Sequence, residues 1–486
     1  MATPAGNDTA DYELVVIGGG PGGYIAAARA AERGWRTALV EKDALGGVCL
    51  NWGCIPTKAL LYQADLVGRV RRGAEFGLFF DGLRIDYGRA VSRSREAVAR
   101  LQEGVNALLR GLGVAVLRGE ARLTSEREVA IREAGGVRVI RGRHIILATG
   151  SRPRALPGLS PDGVRVLTSR QILTLTTPPR SLLIVGGGAI GVEFASIFEA
   201  YGTEVTIIEA YPHLLPAEDE EISRLLRRTY EARGIRVMTG TTVRAAAVSE
   251  DGVELTLEGA AGESRLVGEK ALLAVGVEAA VDGLGLEAAG VRLERGFIAV
   301  DERLATAAEN VYAIGDVIGP PFLAHAAAYE GELAVRAIAG ERIRRPAPSD
   351  VPRATYGRPQ VASIGLTEAE AKVGGRDVVI GRTWFKANGR AVAIGEPEGM
   401  VKLVADRRDG EILGLHLIGP EVSELIAEGG WMRVLEATLA EAADCVYPHP
   451  TLSESVREAA LAALGRQNAP VAARRAGAAI QRANPT

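Results

Sequence analysis

Tyr12-Glu13-Leu14-Val15-Val16-Ile17-Gly18-Gly19-Gly20-Pro21-Gly22-Gly23 runs directly from an apolar stretch into a glycine-rich turn. The apolar residues predict a short strand, and the alanine-rich stretch from Tyr24 to Arg33 predicts a helix. Arg36 to Val40 reads as a second strand, followed at once by Glu41. Glycines 18, 20 and 23 have the spacing that serves a tight turn, close approach of a pyrophosphate, and packing of helix on strand. Backbone N–H groups at the helix start bind phosphate oxygens, and Glu41 stands where an acid takes a ribose hydroxyl pair. A glycine-rich turn alone says little, since such turns are common in structural roles. Strand, turn, helix, strand and acid in sequence point to a dinucleotide.

The plan returns later in the chain. Ser181 to Val185 is an apolar strand, and Gly186, Gly188 and Gly191 repeat the glycine spacing. A helix is predicted from Val192 to about Tyr201, then a strand from Glu204 to Ile208, then Glu209. Two such units predict two bound dinucleotides. A carboxylate at Glu209 repels a 2′-phosphate and accepts from ribose hydroxyls, which favours NAD over NADP; the alternative is a strand-end charge with no ligand.

Length, composition and charge narrow the rest. At 486 residues the chain exceeds one typical domain, and with 47% hydrophobic residues it can bury a real core. A net charge of −3 gives no electrostatic footprint for nucleic acid or anionic lipid. The opening Met1–Asp11 is polar and lacks arginine, which fits neither a secretory signal nor a transit peptide. No apolar run reaches membrane-span length, and three cysteines suit a reducing compartment. The expectation is a soluble, cytoplasmic α/β enzyme.

Two of those cysteines lie in Gly46-Gly47-Val48-Cys49-Leu50-Asn51-Trp52-Gly53-Cys54-Ile55-Pro56-Thr57-Lys58. A regular helix would hold them beyond disulfide reach, so the segment must bend if the sulfurs are to bond, and Gly46, Gly47 and Gly53 permit it. Thr57 onward reads as a helix with Pro56 near its first turn, which sets Cys54 beside a helix N-terminus that favours a thiolate. The spacing alone is compatible with a redox disulfide, a structural disulfide, half a zinc site, or buried thiols. Against zinc stands the lack of a second cysteine pair and the scarcity of histidine; against a structural disulfide stands the lack of an export signal. Further on, Tyr447-Pro448-His449-Pro450-Thr451-Leu452-Ser453-Glu454 holds a histidine between two prolines. His449 and Glu454 have the chemistry of a base and its orienting carboxylate, although this spacing also occurs on ordinary surfaces. Cys445 reads as a buried, non-catalytic thiol.

The 46–58 segment closely resembles the active-site segment of the pyridine nucleotide–disulfide oxidoreductases. His449-Pro450-Thr451-Leu452-Ser453-Glu454 resembles that family's base and partner acid. The resemblance spans residues from about 12 to 465. It implies a redox disulfide between Cys49 and Cys54, FAD on the first unit and NAD on the second. It further implies that Lys58 pairs with Glu193, from the helix of the NAD unit, near the flavin ring. Ala148-Thr149-Gly150 resembles the family's first handover between domains. Asp316 corresponds to the family's ligand for the ribityl–phosphate region of FAD. A helix opening around Ala324 would point its N-terminus at the flavin.

The implied organisation is two Rossmann-like dinucleotide-binding domains plus a C-terminal α+β dimerisation domain. Residues 1–153 and 276–348 form the FAD-binding and central parts, 154–275 the NAD domain and 349–466 the interface domain, with 467–486 a poorly ordered tail. The family is homodimeric, with His449 reaching the other subunit's disulfide. Within it the chain is most similar to members that oxidise dihydrolipoamide with NAD, as the third component of 2-oxo acid dehydrogenase complexes, on lipoyl groups carried by partner chains. The rivals are glutathione- or mycothione-type reductases, disfavoured by Glu209, mercuric reductase, whose C-terminal cysteine pair this sequence lacks, and a nucleotide-binding scaffold. The sequence departs from commoner family patterns at Trp52, at Tyr447-Pro448 and at Gly276-Val277-Glu278.

Overall fold

The protein is seen in a computed structural model that describes residues 11–466. Expectations for the 467–486 tail, and for nearly all of Met1–Asp11, lie outside the described residues. The chain divides into two compact units: residues up to 216 with 230–351, and 217–229 with 352 onward.

The first unit contains two parallel sheets built on the repeated plan. In one, Tyr12–Ile17 lies between Thr37–Glu41 and Gly136–Leu147, parallel to both. Ala115–Arg118 extends one side, and Val311–Ala313 runs parallel to the far end of Gly136–Leu147. Glu128–Glu133 and Glu120–Leu123 add antiparallel strands. Side chains alternate between faces: Val15, Ile17, Val40 and Ile145 enter one core, and Leu14, Val16, Leu39 and Ile146 another. The other sheet orders Arg236–Met238, Glu204–Ile208, Ser181–Val185, Lys270–Leu273 and Val166–Leu167, all parallel. A three-stranded meander, Thr242–Val248, Val253–Gly259 and Gly262–Gly268, packs Leu255 and Leu257 into the same core as Leu183 and Val185. An antiparallel ribbon of Ser151–Pro153 and Val277–Ala279 carries the chain between the two sheets.

The sequence pattern predicts a mostly helical stretch from Gln63 to Gly113 and strands over Lys270–Val277 and Asn310–Val317; all three are shorter or interrupted in the fold. The helical stretch from Gln63 to Gly113 is two helices, Cys54–Arg71 and Tyr87–Gly111, separated by a short turn and an irregular segment. The strand expected from Lys270 to Val277 stops at Leu273, and the chain turns at Gly276 before pairing again. The strand expected over Asn310–Val317 is only Val311–Ala313, because Gly315 adopts φ +73° and starts a 3₁₀ turn. Asp316 therefore sits on a tight turn instead of a strand.

The second unit centres on a five-stranded antiparallel sheet, ordered Arg353–Thr355, Gln360–Gly365, Ile412–Gly419, Met400–Asp406 and Val378–Trp384. One face is apolar: Ile364, Leu403, Leu415 and Leu417 share a core with Leu425 and Val456 from helices Val422–Val434 and Glu454–Ala463. The other face carries a polar row. Arg353 pairs with Ser363, Ser363 with His416, His416 with Lys402, and Lys402 with Arg382. Residues 218–221 and Glu368 answer it with acids. Lys402, 3% exposed at its side chain, lies 2.9 Å from Asp219, 3.1 Å from Glu221 and 2.8 Å from Glu368. Arg353 reaches Glu218 at 3.0 Å, and Arg382 reaches Glu221 at 2.9 Å. Burial works to lower the Lys402 pKa, but the carboxylates overcome it and hold the ammonium above its ordinary value.

One side chain in this unit contradicts the sequence reading. Cys445 is exposed, not buried. It caps the end of helix Leu439–Asp444 in extended backbone, where the chain leaves the packed face. No described helix is long and apolar enough to cross a membrane.

The polar row makes a stability prediction. Lys402→Met strands Asp219 as a buried unpaired charge, while Glu368 keeps Lys372 and Arg382, and should cost about 3–5 kcal/mol, read as a lower unfolding midpoint in calorimetry. Adding Asp219→Asn should restore much of the loss. Acid should weaken the wild type by the same chemistry. Glu368, hydrogen-bonded by Lys372 and Lys402, is held at about 2 against an ordinary 4.5. The stability it contributes is present above pH 4.5 and is lost as pH falls toward 2. His416 is held below its ordinary 6.5 by burial, so folding loses further ground as pH falls below 6.5.

Candidate active site

The cysteine segment breaks into two helices. Gly47–Trp52 is one and Cys54–Arg71 the other, and Gly53 leaves helical backbone between them (φ −135°, ψ −110°). Cys54 is therefore the first residue of an 18-residue helix. Gly46 and Gly47 both take positive φ, and the Gly46 N–H donates to the Gly19 carbonyl at 2.7 Å. A Cβ on Gly47 would lie 2.7 Å from the Gly20 Cα. The cysteine segment is thus seated directly on the first glycine-rich turn. Asn51, 1% exposed, fixes this turn by donating to the Leu45 and Gly47 carbonyls at 3.0 and 2.8 Å.

The two thiols are hydrogen-bonded to each other, with opposite consequences. Cys54 is lowered to about 7, first by the hydrogen bond from Cys49 and then, against burial, by the Lys58 charge. Cys49 is raised, first as the donor in that bond and then by burial. The arrangement holds Cys54 as the thiolate and Cys49 as the thiol. Lys58, one helical turn beyond Cys54, donates to both oxygens of Glu193 at 2.8 and 2.9 Å. Glu193 is buried on helix Ala189–Ala200. The long-range pair named from the resemblance is thus joined.

The two glycine turns are near copies of each other. The Glu41 carboxylate accepts from the N–H groups of Gly19 and Asp43, both at 2.7 Å. Glu209 accepts from those of Gly187 and Tyr211, at 2.5 and 2.7 Å. Gly18 and Gly186 have φ +105° and +112°, and a Cβ on either would fall 2.3 or 2.2 Å from a carbonyl oxygen of the neighbouring strand end. On Gly23 and Gly191 it would strike the carbonyls of Gly18 and Gly186. The protein itself therefore requires the first and third glycines. It does not require the middle ones: Gly188 has nothing within 4 Å, and Gly20 only a Cα at 4.0 Å. That open space is what close approach of a pyrophosphate needs, so both turns fit a dinucleotide.

The remaining positions cluster around the first sheet. Gly150 (φ +73°) lies between that sheet and the ribbon, next to Thr149, whose Oγ1 is buried without a hydrogen-bond partner among the described residues. Ser151 Oγ donates to Asp316 at 2.5 Å, and burial raises the Asp316 pKa. Ala324 is the first residue of helix Ala324–Ile338, with no side chain capping its N-terminus.

In the second unit, His449 Nδ1 lies 2.9 Å from Glu454 Oε1. Glu454 opens helix Glu454–Ala463 and is held low by the Thr451 N–H and then by His449. A carboxylate can only accept, so Nδ1 carries a proton and Nε2 is left as the reactive nitrogen. Asn388 ties this loop down, donating to the Thr451 carbonyl at 2.9 Å and to Ser455 Oγ at 3.0 Å. The sequence reading missed Asn388; its one local signal is its place as an N-cap, accepting from the Ala391 N–H. Among the described residues, no group of three or more His, Cys, Asp or Glu could hold a metal ion.

Comparison with known proteins agrees with this geometry. Residues 12–331 match the pyridine nucleotide-disulphide oxidoreductase family, and residues 351–460 its dimerisation domain. The chain is 47% identical to the dihydrolipoyl dehydrogenase of Chlorobaculum tepidum, over 94% of this chain and 97% of that protein. It is 41% identical to that of Bacillus subtilis, over 94% and 98%. Among solved structures it is similar to LpdA from Mycobacterium tuberculosis, with 29% identity and a TM-score of 0.86 over 92% of this chain and 98% of that one. It is also similar to the HOCl-induced flavoprotein disulfide reductase RclA from Escherichia coli, with 28% identity and a TM-score of 0.82 over 92% and 99%.

The thiol pair can be titrated. In reduced protein, ultraviolet thiolate absorbance should rise with a midpoint near 7. Lys58→Gln, which removes the stabilising charge, should move that midpoint upward.

Proposed function

This chain belongs to the pyridine nucleotide-disulphide oxidoreductase family, and we propose that within it the protein is a dihydrolipoamide dehydrogenase. The observation that carries the reading is the hydrogen-bonded Cys49–Cys54 pair at a helix N-terminus, beside the Lys58–Glu193 ion pair and seated on a nucleotide turn. We assign FAD to Gly18, Gly20, Gly23, Glu41, Gly150, Asp316 and the helix starting at Ala324. NAD falls to Gly186, Gly188, Gly191 and Glu209. The domain limits are those expected from the sequence: 1–153 with 276–348 for FAD, 154–275 for NAD and 349–466 for the dimer interface.

In the reaction proposed, His449 Nε2 takes the proton of one dihydrolipoamide thiol, while Glu454 fixes the ring and balances the imidazolium charge. The substrate thiolate attacks Cys49 Sγ. The Cys49–Cys54 bond breaks, and Cys54 leaves as the thiolate that its surroundings favour. The second substrate thiol attacks the substrate sulfur of the mixed disulfide, and Cys49 leaves carrying that thiol's proton. The substrate loses two electrons and becomes lipoamide; the cysteine pair gains them. When bound, FAD and NAD supply the two-electron acceptors that return the pair to the disulfide. Lys58, held by Glu193, keeps a positive charge beside Cys54 throughout. The working unit is a homodimer in which His449 and Glu454 of one chain serve the cysteines of the other. It acts in the cytoplasm on lipoyl groups of 2-oxo acid dehydrogenase complexes.

The discriminating experiment is a coupled assay of purified protein. Dihydrolipoamide with NAD should support turnover; glutathione disulfide with NADPH should not, because Glu209 opposes a 2′-phosphate. The reverse preference overturns the assignment. Cys49→Ser should abolish lipoamide turnover while keeping bound FAD. His449→Gln should lower kcat by about 10²–10⁴-fold.

A further inference from the structure

The helix that carries Cys49 is six residues long. So short a helix has too few internal hydrogen bonds to hold its own position. Glycines with positive φ precede it and Gly53 breaks the backbone after it. What fixes its far end is a group of side chains outside the nucleotide and cysteine motifs. Arg95 Nη1 donates to the Asn51 carbonyl at 2.8 Å, and Gln102, on the same face of helix Tyr87–Gly111, donates to Asn51 Oδ1 at 2.5 Å. Both Arg95 and Arg170 lie over the indole of Trp52, with guanidinium carbons 4.9 and 4.0 Å from the ring centroid. Arg170, on the capped turn Ser169–Ile172, also donates to Asp43 Oδ2 at 2.9 Å. The N–H of Asp43 in turn donates to Glu41.

Two like charges converge on one ring here. Burial and the neighbouring Arg170 both lower the Arg95 pKa. The electron-rich indole face, the Asn51 carbonyl and the Asp43 carboxylate offset that repulsion. The result is a continuous chain of contacts from the Glu41 carboxylate through Asp43, Arg170 and Trp52 to the end of the Cys49 helix. It joins the first glycine turn's acid to the redox turn by a second route, separate from the Gly46–Gly19 backbone bond.

We propose that Trp52, Arg95 and Arg170 are positioning residues that set the dithiol–disulfide equilibrium of Cys49 and Cys54 by clamping the Cys49 helix. A disulfide forms only when the two Cβ atoms come within about 3.5–4.5 Å. A clamp that fixes Cys49 near Cys54 raises the effective concentration of one sulfur at the other and favours the closed state. Releasing the clamp favours the dithiol, making the pair easier to reduce. This rests on the redox reading of the two cysteines, and the test separates the two claims.

The holoenzyme is equilibrated in glutathione redox buffers, acid-quenched, and its Cys49–Cys54 state read by thiol labelling and mass spectrometry. Trp52→Ala and Arg170→Ala should each move the equilibrium about tenfold toward dithiol, about 30 mV. Trp52→Phe and Arg170→Lys, which keep a ring and a cation, should recover most of the shift. The double variant Trp52→Ala/Arg170→Ala should shift little further than either single one, because both remove one contact. Arg170 is half-exposed, so its variants keep the test usable should Trp52→Ala fail to fold. Wild-type potentials in Arg170→Ala, or equal shifts in Arg170→Ala and Arg170→Lys, overturn the clamp. A wild type that forms no Cys49–Cys54 disulfide in any buffer overturns the redox reading itself.

Discussion

Gly53 interrupts what would be one continuous helix, and the site's chemistry follows from that interruption. A straight helix would carry Cys49 and Cys54 well apart along its axis. The break leaves Cys49 within a short helix and sets Cys54 at the first position of a long one. Cys54 thereby gains the positive end of a helix dipole, the Cys49 hydrogen bond, and Lys58 on the next turn. Burial alone would push both thiols up; the asymmetry of these contacts makes one sulfur the thiolate and the other its proton donor. A pair divided in this way already has its leaving group chosen.

The same turn depends on the nucleotide scaffold beneath it. The cysteine segment approaches the first glycine turn so closely that a Cβ on Gly47 would strike the Gly20 backbone. The second glycine turn repeats the first in detail, down to the carboxylate that accepts from the turn's middle N–H. In both, glycine is needed for protein packing at the outer positions, and the middle one faces open space. Glu193 then reaches from helix Ala189–Ala200, which follows the second glycine turn, to Lys58 of the redox helix, so the two nucleotide plans meet at the sulfur pair.

What could be read from the sequence was mostly local. Strands Tyr12–Ile17, Ser181–Val185 and Glu204–Ile208 fall where apolar runs ending in glycine or acid place them. Expectations failed where an apolar run hid a turn, as at Gly276 and Gly315, whose positive φ values end strands that the hydrophobic pattern would continue. Cys445 was misjudged because cysteine is usually buried, and nothing in its neighbours signals that a helix end turns it outward. The Lys58–Glu193 pair is separated by more than a hundred residues and could be named only by resemblance. Arg95, Arg170, Asn388 and the Lys402 row were silent because their partners come from distant strands and helices, and a charged or amide residue looks the same in sequence whether it faces water or another side chain.

The central claim is that Cys49 and Cys54 open and close while Cys445 does not. Counting free thiols after rapid denaturation tests it most directly. Oxidised protein should show the Cys445 thiol alone, and protein treated anaerobically with dihydrolipoamide should show all three cysteines free. Three free thiols under both conditions, or a disulfide that involves Cys445, would contradict the account.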